Sequence, residues 1–181
     1  EDSGGHAVIA KGRLALVLRL GMVALWYETG QGSRISSDAQ GYYGLAQSLV
    51  AGKGFRVHGE PNFRRLPLYP LFIALCLPGA PYPLGVQFAQ AFLGAFSCIV
   101  LFAMGREMFG GNVGLLASAL MGLDYLSIRA TTSILAETLL VFFLLTTITL
   151  LFRAEKTKNK GWLAGAGLAA GLTLLTKDNL F

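Results

Sequence analysis

Two carboxylates stand out because each lies at the edge of a strongly apolar stretch of the chain. Asp38 begins the segment DAQGYYGLAQSLVAGKGF, and Glu137 lies in TSILAETLLVFFLL, followed by fifteen residues without a charge. Burying a carboxylate in such a stretch costs free energy, so a carboxylate found there usually has a partner or serves a function. An ordinary alternative stays open for each: Asp38 fits a helix N-cap, and Glu137 fits an acid favoured by the dipole at a helix start.

Two adjacent cations, Arg64 and Arg65, precede Pro67 at the start of another apolar segment. Their planar guanidinium groups match phosphate oxygens in bidentate fashion, which indicates a phosphate clamp. The alternative is a pair of cations that anchors the chain at a membrane interface.

The composition indicates the class of protein that holds these residues in place. The chain is 54% hydrophobic and 14% charged, with a mean hydropathy of +0.56, which is typical of a membrane protein. The pI of about 9.4 reflects loop cations rather than a nucleic-acid surface, since no basic stripe with interleaved aromatics occurs. Cys76 and Cys98 stand in apolar surroundings and are expected to be free thiols.

Hydropathy predicts an all-α fold, a polytopic bundle of about five transmembrane helices. We expect Lys11, Arg13 and Arg19 in the first helix to snorkel to the headgroups. The GREMFGGN segment is expected to form a turn over residues 105–112, and RAEKTKNK a basic loop over residues 153–160. The spans are expected near residues 7–27, 84–104, 113–125, 134–152 and 162–175.

The long first loop, residues 28–66, is expected to carry a short amphipathic helix on the membrane surface. Its apolar face would hold Tyr42, Leu45, Ala46, Leu49 and Val50. The next segment is interrupted by prolines, so we expect a helix of about eleven residues there, too short to span a bilayer.

The distribution of cations in the short loops predicts a cytoplasmic amino terminus. The first loop then faces the periplasm, the cell exterior or the lumen. His6 and His58 have no partners at metal-ligand spacing, so no metal role is expected for them. On this topology one outer face collects the polar candidates, which are Asp38, Arg64, Arg65, Arg129, Glu137, Lys177 and Asp178.

With these residues laid out, the chain resembles the amino-terminal part of the GT-C glycosyltransferases. It is most similar to the family-39-type enzymes, which include protein O-mannosyltransferases and aminoarabinose transferases. The resemblance runs through DAQGYYGLAQSLVAGKGF, RRLPLYPLFIAL, GREMFGGNVGLLASALMGLD, TSILAETLLVFFLL and WLAGAGLAAGLTLLTK. It implies an integral protein of a bacterial inner membrane that uses a polyprenyl-phosphate sugar at the outer face, with a lipid, glycan or protein as acceptor.

The resemblance also implies roles for individual residues. Asp38 matches the first-loop acid, the general base of an inverting transfer, and Glu137 matches the acid that opens the fourth helix. Relatives often have arginine and proline where this chain has Lys177 and Asp178. No metal and no cofactor is implied. The residues assigned to the lipid phosphate and substrate are Arg64, Arg65, Arg129, Lys177, Tyr42 and Tyr43.

A second hypothesis names a different class of protein, a non-enzymatic transporter or assembly scaffold. It would use Glu137 and Arg129 as a buried polar pair along a solute path. The chain begins without methionine and ends inside an apolar pattern, so we expect an amino-terminal fragment that lacks its C-terminal part and is inactive alone.

Overall fold

The computed structural model describes residues 3–29, 37–57, 60–62, 64–77 and 83–177. The fold is helical, and a short antiparallel hairpin pairs Arg56 with Pro61 and Val57 with Glu60. In chain order the elements are α1 (Ser3–Glu28), α2 (Ser37–Val50), β1 (Arg56–Val57), β2 (Glu60–Pro61), α3 (Leu68–Cys76), α4 (Leu84–Phe109), α5 (Gly111–Leu123), α6 (Tyr125–Ala130), α7 (Glu137–Thr157) and α8 (Lys160–Leu174).

Two helices of the described part, α4 and α7, are long and apolar enough to cross a membrane. The helix α5 is apolar but shorter. The predicted all-α membrane fold is therefore confirmed. The count of five spans stays a prediction.

The turn between α4 and α5 is much shorter than expected, because α4 continues to Phe109 and only Gly110 separates the two helices. Gly110 has φ of 97°, a conformation that side chains disfavour. The helices then run back against each other with their backbones in contact. A Cβ on Gly105 would lie 2.7 Å from the Cα of Gly114, so both positions need glycine.

Two predicted spans begin or end at different residues. The span predicted over 113–125 ends at Leu123, because the Asp124 carboxylate accepts a hydrogen bond from the Ser127 amide at 2.6 Å and starts α6. The span predicted over 134–152 begins at Glu137 and extends to Thr157. The expected basic loop is therefore mostly helix, and the chain reverses at Lys158 and Asn159, whose side chain caps α8.

The prediction that Arg19 snorkels to the headgroups is wrong. Its side chain is fully buried in the bundle, and its Nη2 donates a hydrogen bond to Ser127 Oγ at 2.9 Å. Its Nη1 donates to the carbonyl oxygen of Ala15 at 3.1 Å. The absence of a side chain on Gly94 makes room for the guanidinium, because a Cβ there would lie 2.6 Å from Arg19 Nε. Arg13 is exposed, as expected.

The short helix α2 packs against α3, and both helices contribute to one core cluster. Of the predicted apolar face of α2, Tyr42, Leu45 and Ala46 are buried within the fold, whereas Val50 is 56% exposed. The ring of Tyr42 meets that of Tyr69 edge to face, with centroids 4.8 Å apart. The helix α3 has nine residues and begins directly after Pro67, close to the predicted position.

The segment between α6 and α7 is tied to α4 by two buried glutamines. Gln87 Nε2 donates to the carbonyl oxygen of Thr132 at 2.9 Å, and Gln90 Nε2 donates to that of Leu135 at 3.1 Å. Buried amides with such bonds hold a segment firmly, because breaking the bond would leave a buried polar group unpaired. The start of α7, and with it Glu137, is thereby fixed against the bundle.

At the end of the bundle opposite to Glu137, an ion pair joins α4 and α7. Arg153 Nε donates to Glu107 Oε1 at 2.8 Å, and its guanidinium lies 5.4 Å from the centre of the Trp162 ring. Cys76 and Cys98 are free thiols, which confirms that expectation.

Candidate active site

A cavity of about 420 Å³ lies where α2, the segment before α3, the start of α7 and the end of α8 meet. It brings together five of the predicted site residues that carry charge: Asp38, Arg64, Arg65, Glu137 and Lys177. Tyr42 lines it as well. We call it the cationic cavity, since three cations and two carboxylates leave an excess of positive charge. Such a cavity suits an anionic group that reaches it from solvent or lipid.

Arg65 is the cation of this cavity that contacts both Asp38 and Tyr42. Its Nη2 donates to Asp38 Oδ1 at 2.8 Å, and its guanidinium carbon lies 4.1 Å from the centre of the Tyr42 ring. Burial alone lowers the pKa of Arg65, but hydrogen bonds with Asp38 and Tyr42 outweigh it and leave the pKa above its ordinary value. The guanidinium therefore carries its charge at any physiological pH.

Residues 38, 41 and 42 share one face of α2, because positions three and four apart are neighbours on a helix. Gly41 is the position that lets Arg65 lie flat on this face. A Cβ there would meet Arg65 Nε at 3.0 Å and Nη2 at 3.1 Å. Asp38 lies within the first turn of α2, so it is not the N-cap that the sequence also allowed, and its side chain is 67% exposed.

Glu137 is the first residue of α7, which matches the helix-start alternative, whereas the span predicted from residue 134 would have placed it about one turn inside the helix. Its Oε1 accepts a hydrogen bond from Lys177 Nζ at 2.8 Å. The Leu68 amide donates to the carbonyl oxygen of Leu175 at 3.2 Å, which joins the end of α8 to the start of α3. This contact holds Lys177 beside the cavity.

Arg64 is the cation that is available to a ligand. Its side chain is exposed and lines the cavity, and within the described residues no ion pair engages it. Its backbone amide donates to Asn62 Oδ1 at 3.0 Å, which fixes the turn before α3. Its guanidinium can meet phosphate oxygens without first breaking an ion pair with any residue of the described ranges.

The remaining predicted residues lie elsewhere. Tyr43 packs against the core formed by α2, α3 and α4 and does not line the cavity. Arg129 is exposed on α6 and also lies outside the cavity lining. The pair of Glu137 with Arg129 belonged to the transporter or scaffold alternative, and in the described residues Glu137 pairs with Lys177 instead. Asp178 lies outside the described residues.

Sequence reasoning did not single out Gly41 and Asn62, which shape the cavity, or the burial of Arg19. The four-residue spacing of Asp38 and Tyr42 around a glycine could have indicated a flat cationic contact on α2. The burial of Arg19 had one available signal, the small residues Gly94 and Ser97 on the facing helix.

The fold and the cavity define a class: an integral membrane protein of helices with a cationic site at one end of the bundle. The family model for dolichyl-phosphate-mannose-protein mannosyltransferase matches residues 66–181. The chain belongs to this family, and it is a membrane glycosyltransferase by class. The family implies a donor in which the sugar is linked to a lipid. Comparison with curated proteins and with solved structures found no match.

The matched region contains Glu137, Lys177 and Arg129, whereas Asp38, Tyr42, Arg64 and Arg65 lie before it. The structure brings residues from both parts of the chain to the same cavity.

Proposed function

We propose that the protein transfers a sugar from a polyprenyl-phosphate carrier to an acceptor hydroxyl or amine in the cationic cavity. The observation that carries this proposal is the convergence of Arg64, Arg65 and Lys177 with two carboxylates around one cavity. Cations at this place can hold the phosphate of the donor and neutralise the charge that develops as it leaves.

In the proposed reaction the acceptor oxygen or nitrogen attacks the anomeric carbon of the sugar. The bond between that carbon and the phosphate oxygen breaks, and the lipid phosphate leaves with the electron pair. Asp38 takes the proton of the acceptor, and the configuration at the anomeric carbon inverts. Its 67% exposure leaves the carboxylate accessible to an acceptor. General base catalysis of this kind contributes about 10²–10⁴-fold to a rate.

Arg65 orients the proposed base. Its hydrogen bond to Asp38 Oδ1 fixes the carboxylate, while Tyr42 supports the guanidinium from one face. We propose that the cavity faces the outside of a bacterial inner membrane, with the amino terminus in the cytoplasm. The excess of cations in the predicted inner loops supports this orientation.

The experiment uses the full protein in detergent and measures two quantities for Asp38→Asn. We expect binding of undecaprenyl phosphate or dolichyl phosphate to stay within about twofold, because asparagine can still accept the hydrogen bond from Arg65. We expect sugar transfer to fall about 10²-fold or more. Glu155→Gln is the control, since Glu155 pairs with Lys158 at the other end of the bundle.

The two readouts separate the parts of the proposal. Normal transfer by Asp38→Asn would refute the role of Asp38 as the base. Failure of the unchanged protein to bind any polyprenyl phosphate would refute the proposed donor.

A further inference from the structure

A second cavity, of about 490 Å³, lies between α4, α6 and α7. Glu137 lines both this cavity and the cationic cavity. Leu126 at its edge is 71% exposed, so the cavity has an apolar margin that suits a lipid environment. Most of its wall surface is apolar, and the apolar lining residues are Gly94, Met121, Leu126, Ala130 and Val141. The polar lining residues are Ser97, Asp124, Ser127, Glu137 and Thr138.

Two buried polar atoms beside this apolar space have no hydrogen-bond partner among the described residues. One is Glu137 Oε2, while the other oxygen of that carboxylate binds Lys177. The second is Oγ1 of Thr138, a residue that is only 9% exposed. Buried polar groups without a partner are rare in folded proteins, and each one needs an explanation.

Thr138 differs in this respect from a matched residue on the same helix. Thr147 is 8% exposed, and its hydroxyl donates to the carbonyl oxygen of Phe143 at 2.8 Å. The hydroxyl of Thr138 has no such bond within the described part of the chain. It therefore remains available to a ligand in the second cavity.

We propose that the second cavity binds a lipid whose head group carries a hydroxyl. A hydroxyl both donates and accepts, so a single one can donate to Glu137 Oε2 and accept from Thr138 Oγ1. The hydrocarbon part of the lipid would lie along the apolar walls. This proposal rests on the proposed function, in which the hydroxylated lipid is the acceptor.

Because Glu137 lines both cavities, it connects this lipid site to the proposed reaction. A head group held by one hydroxyl at Glu137 lies at the border of the cationic cavity, where Asp38 and the donor phosphate are placed. Glu137 and Thr138 are then positioning residues that hold one hydroxyl of the head group, and a second hydroxyl or an amine of the same head group is the nucleophile whose proton Asp38 takes. The donor and the acceptor would approach Glu137 from opposite sides.

The test uses the full protein in nanodiscs and a photoreactive probe, a diazirine derivative of hexadecanol. The diazirine derivative of hexadecane, which lacks the hydroxyl, is the comparison. We expect the alcohol to label residues of the second cavity in a saturable way and the alkane, which lacks both hydrogen bonds, to label them about 25-fold less. One net hydrogen bond corresponds to about a fivefold change in affinity.

Thr138→Val keeps the shape of the side chain and removes the hydroxyl. We expect it to reduce labelling by the alcohol about fivefold, a smaller loss than with the alkane because the bond to Glu137 remains, whereas Thr147→Val leaves labelling unchanged. Ala130→Phe fills the cavity and should abolish labelling by both probes. Equal labelling by alcohol and alkane, or an unchanged result with Thr138→Val, would overturn the proposal.

Two further outcomes distinguish a failure of the proposed lipid site from a failure of the proposed function. Protection of the cavity by a soluble serine-containing peptide, but not by unlabelled hexadecanol, would overturn the assignment to a lipid. Hydroxyl-dependent labelling in a protein that binds no polyprenyl phosphate would support the second site and refute the proposed donor.

Discussion

Gly41→Ala should displace Arg65 without changing any charge in the cationic cavity. The new Cβ would lie 3.0 Å from Arg65 Nε and 3.3 Å from its guanidinium carbon, so the side chain must move. Arg65 is held between Asp38 and the Tyr42 ring, and a shift weakens both contacts. Gly44→Ala is the matched control on the same helix, because the nearest atom to its Cβ is Val57 Cγ1 at 4.0 Å.

The magnitude follows from comparing the two variants. Each replaces glycine by alanine in a helix, which stabilises by about 1 kcal/mol, and this gain cancels in the comparison. Gly41→Ala also loses an ion pair with Asp38, worth about 0.2–1 kcal/mol, and a contact with Tyr42, worth about 0.5–1 kcal/mol. We therefore expect Gly41→Ala to be about 1–2 kcal/mol less stable than Gly44→Ala.

Thermal unfolding in detergent, followed with a thiol-reactive dye, measures this difference. For a chain of this size about 1 kcal/mol corresponds to roughly 2–4 °C, so the two midpoints should differ by roughly 2–8 °C. Transfer activity should fall in Gly41→Ala and not in Gly44→Ala. Equal midpoints together with equal activities would refute the placement of Arg65 on α2.

Two more predictions concern the far end of the bundle. Gly114→Ala should lower the thermal unfolding midpoint, at a cost of about 1–3 kcal/mol, because the Cβ would lie 2.6 Å from the backbone nitrogen of Arg106. Gly111→Ala is the control, because its Cβ meets no atom within 4 Å, and it should be as stable as the unchanged protein or up to about 1 kcal/mol more stable. Glu107→Gln should cost at most about 1 kcal/mol by weakening the pair with Arg153, and thermal unfolding at low and high salt should show a smaller loss at high salt.

Hydropathy predicted the helices and their order because long apolar stretches leave few alternatives to a membrane bundle. It did not predict where α5 ends, since the break depends on the side chain of Asp124 capping α6. The turn predicted over residues 105–112 does contain Gly110, but hydropathy did not show that one residue makes it, because the close contact of Gly105 with Gly114 is a tertiary feature.

The polar site was predicted only in part, because topology shows which segments meet but not how their side chains pair. The resemblance and the predicted topology placed Asp38, Arg65 and Glu137 near one another, and the structure brings them to one cavity. Topology could not tell that Glu137 pairs with Lys177 rather than Arg129, because that choice depends on how the end of α8 packs. A role of Arg129 or Tyr43 in substrate binding stays a prediction.

The central claim is that the cationic cavity binds the phosphate of a polyprenyl carrier. The most direct test measures the affinity of the full protein for undecaprenyl phosphate and for undecaprenol, in the unchanged protein, in Arg64→Ala and in Arg56→Ala. Arg56 is an exposed cation of the same segment that does not line the cavity. We predict that the phosphate binds more tightly than the alcohol, and that Arg64→Ala weakens phosphate binding about tenfold, as for a lost charge-assisted hydrogen bond. Equal affinities for the phosphate and the alcohol, or an equal loss in both variants, would contradict the account.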